Sequence, residues 1–241
     1  MINWETNSII SYNIDEAYRE AIWLCVKKGY DYKIENSSKT DIGGSYIGQI
    51  RRQLDRVMIV IRNPGMRPLA PIMPPNIPSP TDDDKIAAYF DHYLVNDIVA
   101  ANEDYTYGKY IKKQIPKLIE RLNNSKGNTN QACLSVCDTD SIFLEDPPCL
   151  RHIEFKVVNG KLNMIVLFRS NDLVAAFPEN IGGLQMFKEL ILSELNFPCE
   201  DGEIIYYGSG LHIYDQFFDL VNLLCCDKVE LRRDIEGNIV L

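Results

Sequence analysis

The hydrophobic pattern changes period several times along the chain. From Asn13 to Lys28, apolar Ala17, Ala21, Ile22, Leu24 and Cys25 recur at mixed three- and four-residue spacing, which predicts a helix with one apolar face. Gly29 follows where a glycine usually ends a helix. The run from Leu54 to Arg62 (LDRVMIVIR) is rich in β-branched residues and predicts a strand. Residues 64–80 then hold seven of the twelve prolines and lead into Asp82-Asp83-Asp84. Proline neither donates to a sheet ladder nor continues a helix, so 64–84 is expected as an exposed, irregular surface loop rather than a domain linker. Helices are predicted over 85–98 and 108–122, the second amphipathic despite Pro116.

The second half alternates more regularly. Residues 151–158 (RHIEFKVV) and 161–168 (KLNMIVLF) predict two strands joined at Asn159-Gly160. That dipeptide suits a two-residue hairpin, because both turn positions need positive φ. A helix is expected at about 181–195, with Asn180 placed to cap it. Residues 203–207 and 211–214 are strand-like, and 215–226 returns to helix. No internal repeat is present. The order of elements predicts one α/β domain of the α+β type over 1–241, a mixed sheet flanked by helices.

Composition narrows the class. With 46% hydrophobic and 24% charged residues, a chain of this size can bury a core that needs neither disulfides nor metal. Seven cysteines at irregular spacing argue against a secreted disulfide framework and for a reducing cytoplasm. The start, Met1-Ile2-Asn3-Trp4-Glu5, has no signal-peptide pattern, and no apolar stretch is long enough to span a bilayer. A net charge of −9 disfavours nucleic acid and anionic membranes as partners. A phosphorylated small substrate asks only that a few cations converge locally.

The hairpin carries a geometric prediction. If Val158 faces Lys161, counting back along both strands puts Cys149 opposite Ser170 and beside Arg169. A thiol is a poor nucleophile until it ionises, and a nearby fixed positive charge raises its thiolate fraction. Arg169 can also bind phosphate bidentately, with Ser170 adding a hydrogen bond. Pro147-Pro148 stiffens the approach to Cys149. Taken alone, Cys149 could equally be a small buried apolar residue, Asn180 a helix cap, and His212 and Tyr214 packed sheet residues. Cys133, Cys137 and His152 match no standard zinc spacing, so no metal is expected. A cysteine hydrolase would need a histidine beside Cys149, and strand alternation predicts His152 on the opposite face.

Several motifs in order add to this. Pro147-Pro148-Cys149, Asn159-Gly160-Lys161-Leu162, Arg169-Ser170-Asn171-Asp172 and Pro178-Glu179-Asn180-Ile181 resemble the thymidylate synthase family, with spacing kept from Cys149 through Asn180. Gly210-Leu211-His212-Ile213-Tyr214 resembles its His-x-Tyr motif, and Tyr107-Gly108-Lys109 its Tyr-Gly-Lys segment. The resemblance is densest over 147–215, reaches 105, and thins before it.

The resemblance implies a homodimer that binds a pyrimidine nucleotide and a reduced folate, 5,10-methylenetetrahydrofolate. It implies that Cys149 adds to C6 of the base, so that C5 can attack the folate's one-carbon unit. Arg169 and Ser170 would bind the 5′-phosphate, and His212 and Tyr214 the sugar 3′-hydroxyl. Asp172 would order base and pterin, and Tyr107 would line the cavity. Asn180 would pair with the base edge; in the family, Asn there goes with uracil and Asp with cytosine.

Three departures shape the alternatives. The family's paired arginines, lent to the partner subunit's phosphate site, have no counterpart between Arg121 and Arg151; Lys39, Arg51, Arg52 and Lys126 are the candidate replacements. The active-site tryptophan is missing too, since the tryptophans are Trp4 and Trp23. Without that aromatic cover, water can compete with hydride and give a hydroxymethyl product, so a pyrimidine nucleotide C5-hydroxymethylase is the nearest alternative. The family's proton-relaying glutamate has only Asp91 and Glu103 as candidates, which leaves a non-catalytic nucleotide-binding homologue as a further alternative. Leu150 and Ala176 also stand where many members carry His and Gly.

Overall fold

The computed structural model describes residues 6–35, 40–41, 44–101, 103–225, 232–233 and 239–240. β1 (Asn7–Ser11) buries alternate residues and leads into α1 (Ile14–Lys28). Asn13 caps α1 by accepting from the Glu16 N–H at 2.9 Å, an interaction worth about 1 kcal/mol. Next come β2 (Tyr30–Lys33), β3 (Ile50–Leu54), β4 (Val57–Ile61) and α2 (Asp83–Tyr89), which runs on as a π-helical turn over Phe90–Leu94. α3 (Tyr107–Ile111) and α4 (Ile115–Ser125) precede β5 (Cys133–Ser135), the hairpin of β6 (Leu150–Val158) with β7 (Lys161–Phe168), and the short β8 (Asn171–Asp172). α5 (Phe177–Ser193), β9 (Glu200–Gly208), β10 (Leu211–Tyr214) and α6 (Phe218–Cys225) follow. Two-residue ladders also pair Thr40–Asp41 with Gly44–Ser45 and Arg232–Arg233 with Ile239–Val240.

The result is a mixed α/β fold. A six-stranded sheet has the order β1-β4-β9-β7-β6-β5, and a four-stranded sheet the order β8-β10-β3-β2. One face of the larger sheet, through Ile59, Phe155, Met164, Val166 and Tyr206, packs in one cluster with Ala17, Ala21 and Ile22 of α1 and Ile181, Leu184 and Phe187 of α5. Among the described residues the other face is exposed: Ile10, Leu167 and Tyr207 are 63%, 40% and 42% exposed, with Met58, Val60 and Ile165 partly exposed between them.

Local chemistry explains where the elements depart from expectation. Leu54–Arg62 is not one strand. The chain turns at Asp55-Arg56, where Arg56 has φ 53°, and sends β3 and β4 into different sheets. The helix expected over 85–98 loses helical structure after Leu94, and the one over 108–122 is two helices joined by a 3-10 turn. Pro116 sits in the first turn of α4, where its missing N–H costs nothing. Gly29 does end α1, but in an extended conformation (φ −63°); its need is steric, since a Cβ there would meet Cys25 O at 2.4 Å. Residues 64–80 hold no helix or strand, yet the segment is pinned: Leu69 is buried, Arg67 pairs with Glu189 at 2.8 Å, and the Ile72 N–H donates to Asp15 at 2.9 Å. Finally, α5 starts at Phe177 with Pro178 in its first turn, so Asn180 lies inside the helix rather than capping it. The Asn180 N–H donates to Ala176 O at 2.8 Å, which leaves its side chain to other partners.

Candidate active site

The site begins where the hairpin's open end goes out of step. β6 and β7 pair as expected from Val158↔Lys161 to His152↔Leu167, but a bulge then makes Leu150 the partner of Phe168. The extra residue, Arg151, takes up one place on β6 alone. Cys149 is therefore opposite Arg169 and not Ser170, with the Arg169 N–H donating to Cys149 O at 2.8 Å. The same bulge removes the alternation argument about His152. That ring lies 3.9 Å from Glu154 and does not line the cleft that Cys149 faces.

This cleft has a volume of about 760 Å³. Its lining brings together every site residue singled out in the sequence: Tyr107, Cys149, Arg169, Ser170, Asp172, Asn180, His212 and Tyr214. They arrive from four directions. The hairpin's end delivers Cys149, Arg169 and Ser170, and α3 delivers Tyr107. The parallel pair β8 and β10, in register as Asp172↔His212, sets Asp172 beside the His212 strand. The first turn of α5 delivers Asn180.

The polar contacts are specific. The Arg169 guanidinium donates to Pro148 O at 3.2 Å and to Asp146 Oδ1 at 3.1 Å, and also to Pro147 O. It clasps the Asp146–Pro148 segment that carries Cys149 into the cleft. Ser170 Oγ lies 3.5 Å from His212 Nδ1, which is 3.1 Å from Gly210 O. Asp172 Oδ1 accepts from the Val174 and Ala175 N–H groups at 2.9 and 3.2 Å, shaping the entry to α5. Asn180, 8% exposed, donates from Nδ2 to Asn171 Oδ1 at 3.0 Å.

Of the four candidate cations, Arg51 lines the cleft, where it donates to Tyr32 Oη at 2.9 Å and Tyr214 Oη at 3.3 Å. Arg52 instead turns away to Asp31 at 2.7 Å, and Lys126 ends α4 outside the lining. Lys39 lies outside the described residues.

An aromatic wall stands beside Cys149. Tyr89, Tyr93, Tyr105 and Tyr107 all line the cleft. Tyr93 stacks on Tyr89 at 5.5 Å and meets Tyr107 edge-on at 5.0 Å. The Leu150 N–H donates to Tyr107 Oη at 3.3 Å. Burial pushes all four phenols well above their ordinary range, and the neighbouring Cys149 sulfur pushes in the same direction. Trp23 is on α1, outside the lining, and Trp4 is outside the described residues.

The candidate carboxylates also change. Asp91 and Glu103 are exposed and do not line the cleft, whereas Glu145, Asp146 and Glu179 do. Glu179 precedes Asn180 on α5, and its Oε2 accepts from Thr81 Oγ1 at 3.2 Å. Burial raises its carboxyl above the usual range, and the Thr81 hydroxyl partly offsets this. Its place inside the Pro178-Glu179-Asn180 motif is a readable signal, because the motif sets it in the first turn of α5 next to Asn180. Arg51 had no comparable signal beyond being a cation.

Among the described residues no group of three or more His, Cys, Asp or Glu could hold a metal ion, and no helix is long and apolar enough to cross a membrane.

Comparison with known proteins places the chain in one family. The chain is 28% identical over 190 residues to a protein of Methanosarcina acetivorans named "Putative thymidylate synthase", spanning 76% of this chain and 81% of that one. A Methanocaldococcus jannaschii protein of the same name is 31% identical over 124 residues, 49% of this chain and 55% of that one. The fold matches thermostable thymidylate synthase A from Bacillus subtilis with a TM-score of 0.66 at 18% identity, covering 90% of this chain and 85% of the other. The thymidylate synthase family model matches residues 21–232, nearly the whole length, and this chain belongs to the thymidylate synthase family.

Proposed function

We propose that this protein transfers a one-carbon unit from 5,10-methylenetetrahydrofolate to C5 of a uracil nucleotide, converting dUMP to dTMP, with Cys149 as the nucleophile. The observation that carries this reading is the convergence of a thiol, a guanidinium and a side-chain amide, distant along the chain, on one cleft.

Arg169 and Ser170 bind the 5′-phosphate, with Arg51 the nearest candidate for a second cation. A phosphate arriving at Arg169 exchanges for Asp146, because each presents anionic oxygens to the same N–H donors of the guanidinium. His212 and Tyr214 hold the sugar hydroxyl. Asn180 pairs with the uracil edge, accepting from N3–H and donating to O4. The Cys149 thiolate adds to C6, and the C5–C6 electron pair moves onto C5 and O4, which makes C5 a nucleophile.

After C5 has gained its new carbon, its proton must leave to a base. Glu179, beside Asn180 and half-buried, is the carboxylate we assign to that end of the base, with Thr81 steadying it. Asp172 orders the base and the pterin.

The cleft also suits a reduced folate. The tyrosine wall offers planar apolar faces of the kind a pterin stacks on. When bound, the folate supplies the one-carbon unit and the hydride. Tyr93, Tyr105 and Tyr107 supply aromatic cover on the Cys149 side, where the family's tryptophan is missing, and so help exclude water there. This favours a methyl product over a hydroxymethyl one. The missing tryptophan keeps the hydroxymethylase as the second reading.

The exposed apolar residues on one face of the six-stranded sheet, Ile10, Leu167 and Tyr207, support a homodimer packed sheet to sheet, since clustered exposed apolar side chains mark interaction surfaces. A reducing cytoplasm, which keeps Cys149 as a thiol, completes the picture.

Incubation with dUMP and methylenetetrahydrofolate, followed by mass spectrometry, tests the reading. We expect dTMP with dihydrofolate. Hydroxymethyl-dUMP with tetrahydrofolate would establish the second reading. Intact nucleotide binding with no tritium release from C5-labelled dUMP, at any folate concentration, would leave a non-catalytic binding protein.

A further inference from the structure

Asparagine alone is a poor reader of pyrimidines. Its side-chain amide has a donor at one end and an acceptor at the other, and a half-turn about its last bond exchanges them. Turned one way it matches uracil, which offers N3–H as donor and O4 as acceptor. Turned the other way it matches cytosine, which offers N3 as acceptor and N4–H as donor. A cleft that relies on Asn180 needs something behind it to hold one orientation.

Asn171 is in that place. It stands on β8 between Ser170 and Asp172, is 3% exposed, and its Oδ1 accepts from Asn180 Nδ2 at 3.0 Å. An amide nitrogen carries two hydrogens. With the hydrogen directed away from the carbonyl given to Asn171, the carbonyl oxygen and the other hydrogen are left side by side for a ligand. If Asn180 turned over alone, two acceptor oxygens would face each other in a buried setting. If Asn171 turned over alone, two N–H groups would meet.

On its other side Asn171 turns its buried Nδ2 toward the hydroxyl of the fully buried Tyr206, close enough to work against the burial that raises that phenol. Both ends of the Asn171 amide are thus engaged, the oxygen with Asn180 and the nitrogen toward Tyr206.

We propose that Asn171 is a positioning residue that locks the amide of Asn180 in the order that accepts uracil and rejects cytosine. The inference rests on the reading that Asn180 pairs with the base. Asn171 also lines the cleft, and the role assigned to it is to act through Asn180.

The test uses nucleotide binding to the full chain, measured by calorimetry with dUMP, dCMP and deoxyribose 5-phosphate. Wild type should prefer dUMP to dCMP. Asn171→Leu, of similar size and without polar atoms, should reduce that preference at least about tenfold while leaving deoxyribose 5-phosphate affinity unchanged. A merely structural role would weaken all three ligands together. Asn171→Asp keeps an acceptor oxygen for Asn180 and should keep the dUMP preference, which also decides the matter if the leucine variant melts too early to bind.

An undiminished preference in folded Asn171→Leu would overturn the inference, as would a lost preference in folded Asn171→Asp. Asn180→Ala separates the two levels. If it too leaves the preference intact, the assignment of Asn180 to the base is wrong. If it abolishes the preference while Asn171→Leu does not, only the lock fails.

Discussion

Cys149 and Arg169 are direct cross-strand partners: the Arg169 N–H bonds to Cys149 O at 2.8 Å, and the Arg169 side chain turns back to bond Pro148 O at 3.2 Å. Backbone and guanidinium of one residue thereby fix the short segment that presents the thiol. Any anion held by Arg169 is then at a set distance from Cys149, as a reaction joining a phosphate site to a nucleophile requires.

Replacing the sulfur tests the chemistry alone. Cys149→Ser should lower turnover of dUMP by at least about 10³-fold, because an alcohol at neutral pH has almost no anionic form to add to C6. Nucleotide affinity by calorimetry should stay within a few-fold of wild type. Retained turnover in the serine variant would remove Cys149 from the mechanism.

Asp146 holds Arg169 in a 3.1 Å ion pair, so under the proposed phosphate role of Arg169 it competes with the nucleotide for the guanidinium. Half-exposed pairs of this kind are weak, so Asp146→Asn should tighten dUMP binding by only about two- to fivefold. The gain should shrink as salt is added. Weaker binding would mean that the carboxylate serves to aim the guanidinium instead.

Glu179 makes a prediction with a definite sign. Burial raises its folded pKa, so protonation costs less in the fold than in the unfolded chain. That contribution is present in acid, below the ordinary glutamate range, and is lost as pH rises through the folded value. Glu179→Gln, neutral at every pH, should melt about 1–3 °C above wild type at pH 7.5, with the gap closing near pH 4. If Glu179 is the base for the C5 proton, the same variant should lose about 10²-fold in kcat. A higher melting point with full activity would return the search to Glu145 and Asp146.

The exposed sheet face predicts the assembly. Leu167→Glu, alone or with Tyr207→Glu, puts charge into the middle of an apolar surface without touching the core. Sedimentation should show a monomer where wild type is a dimer, with an unchanged far-ultraviolet spectrum. A double variant that still sediments as a dimer would move the interface elsewhere.

Much of this site could be read along the chain because it is carried by short motifs of fixed spacing. Asn159-Gly160 makes its turn through local φ preferences, Asn159 at 52° and Gly160 at 75°, so the hairpin follows from two residues. Strand alternation likewise sets His212 and Tyr214 on one side of β10, and both line the cleft. The Leu54–Arg62 run misleads for the same local reason: β-branched content reports extended chain, and says nothing of a turn at Asp55-Arg56 that divides it between two sheets.

Residue order alone brought out a thiol, a guanidinium, a hydroxyl and an amide at spacings that a hairpin and a following helix turn into neighbours. Their partners were set by packing between elements distant along the chain. The bulge at Arg151 answers to packing on both strands, and it changed the residue facing Cys149. Asn180 stopped being a cap because Pro178 started α5 earlier, and it gained Asn171 from the strand beneath. Arg51, Tyr89, Tyr93 and Tyr105 come from segments with no common local pattern, joined only when the sheets and helices close over the cleft. Local preferences act over a few residues, whereas a cleft is defined by surfaces that meet after the core has formed.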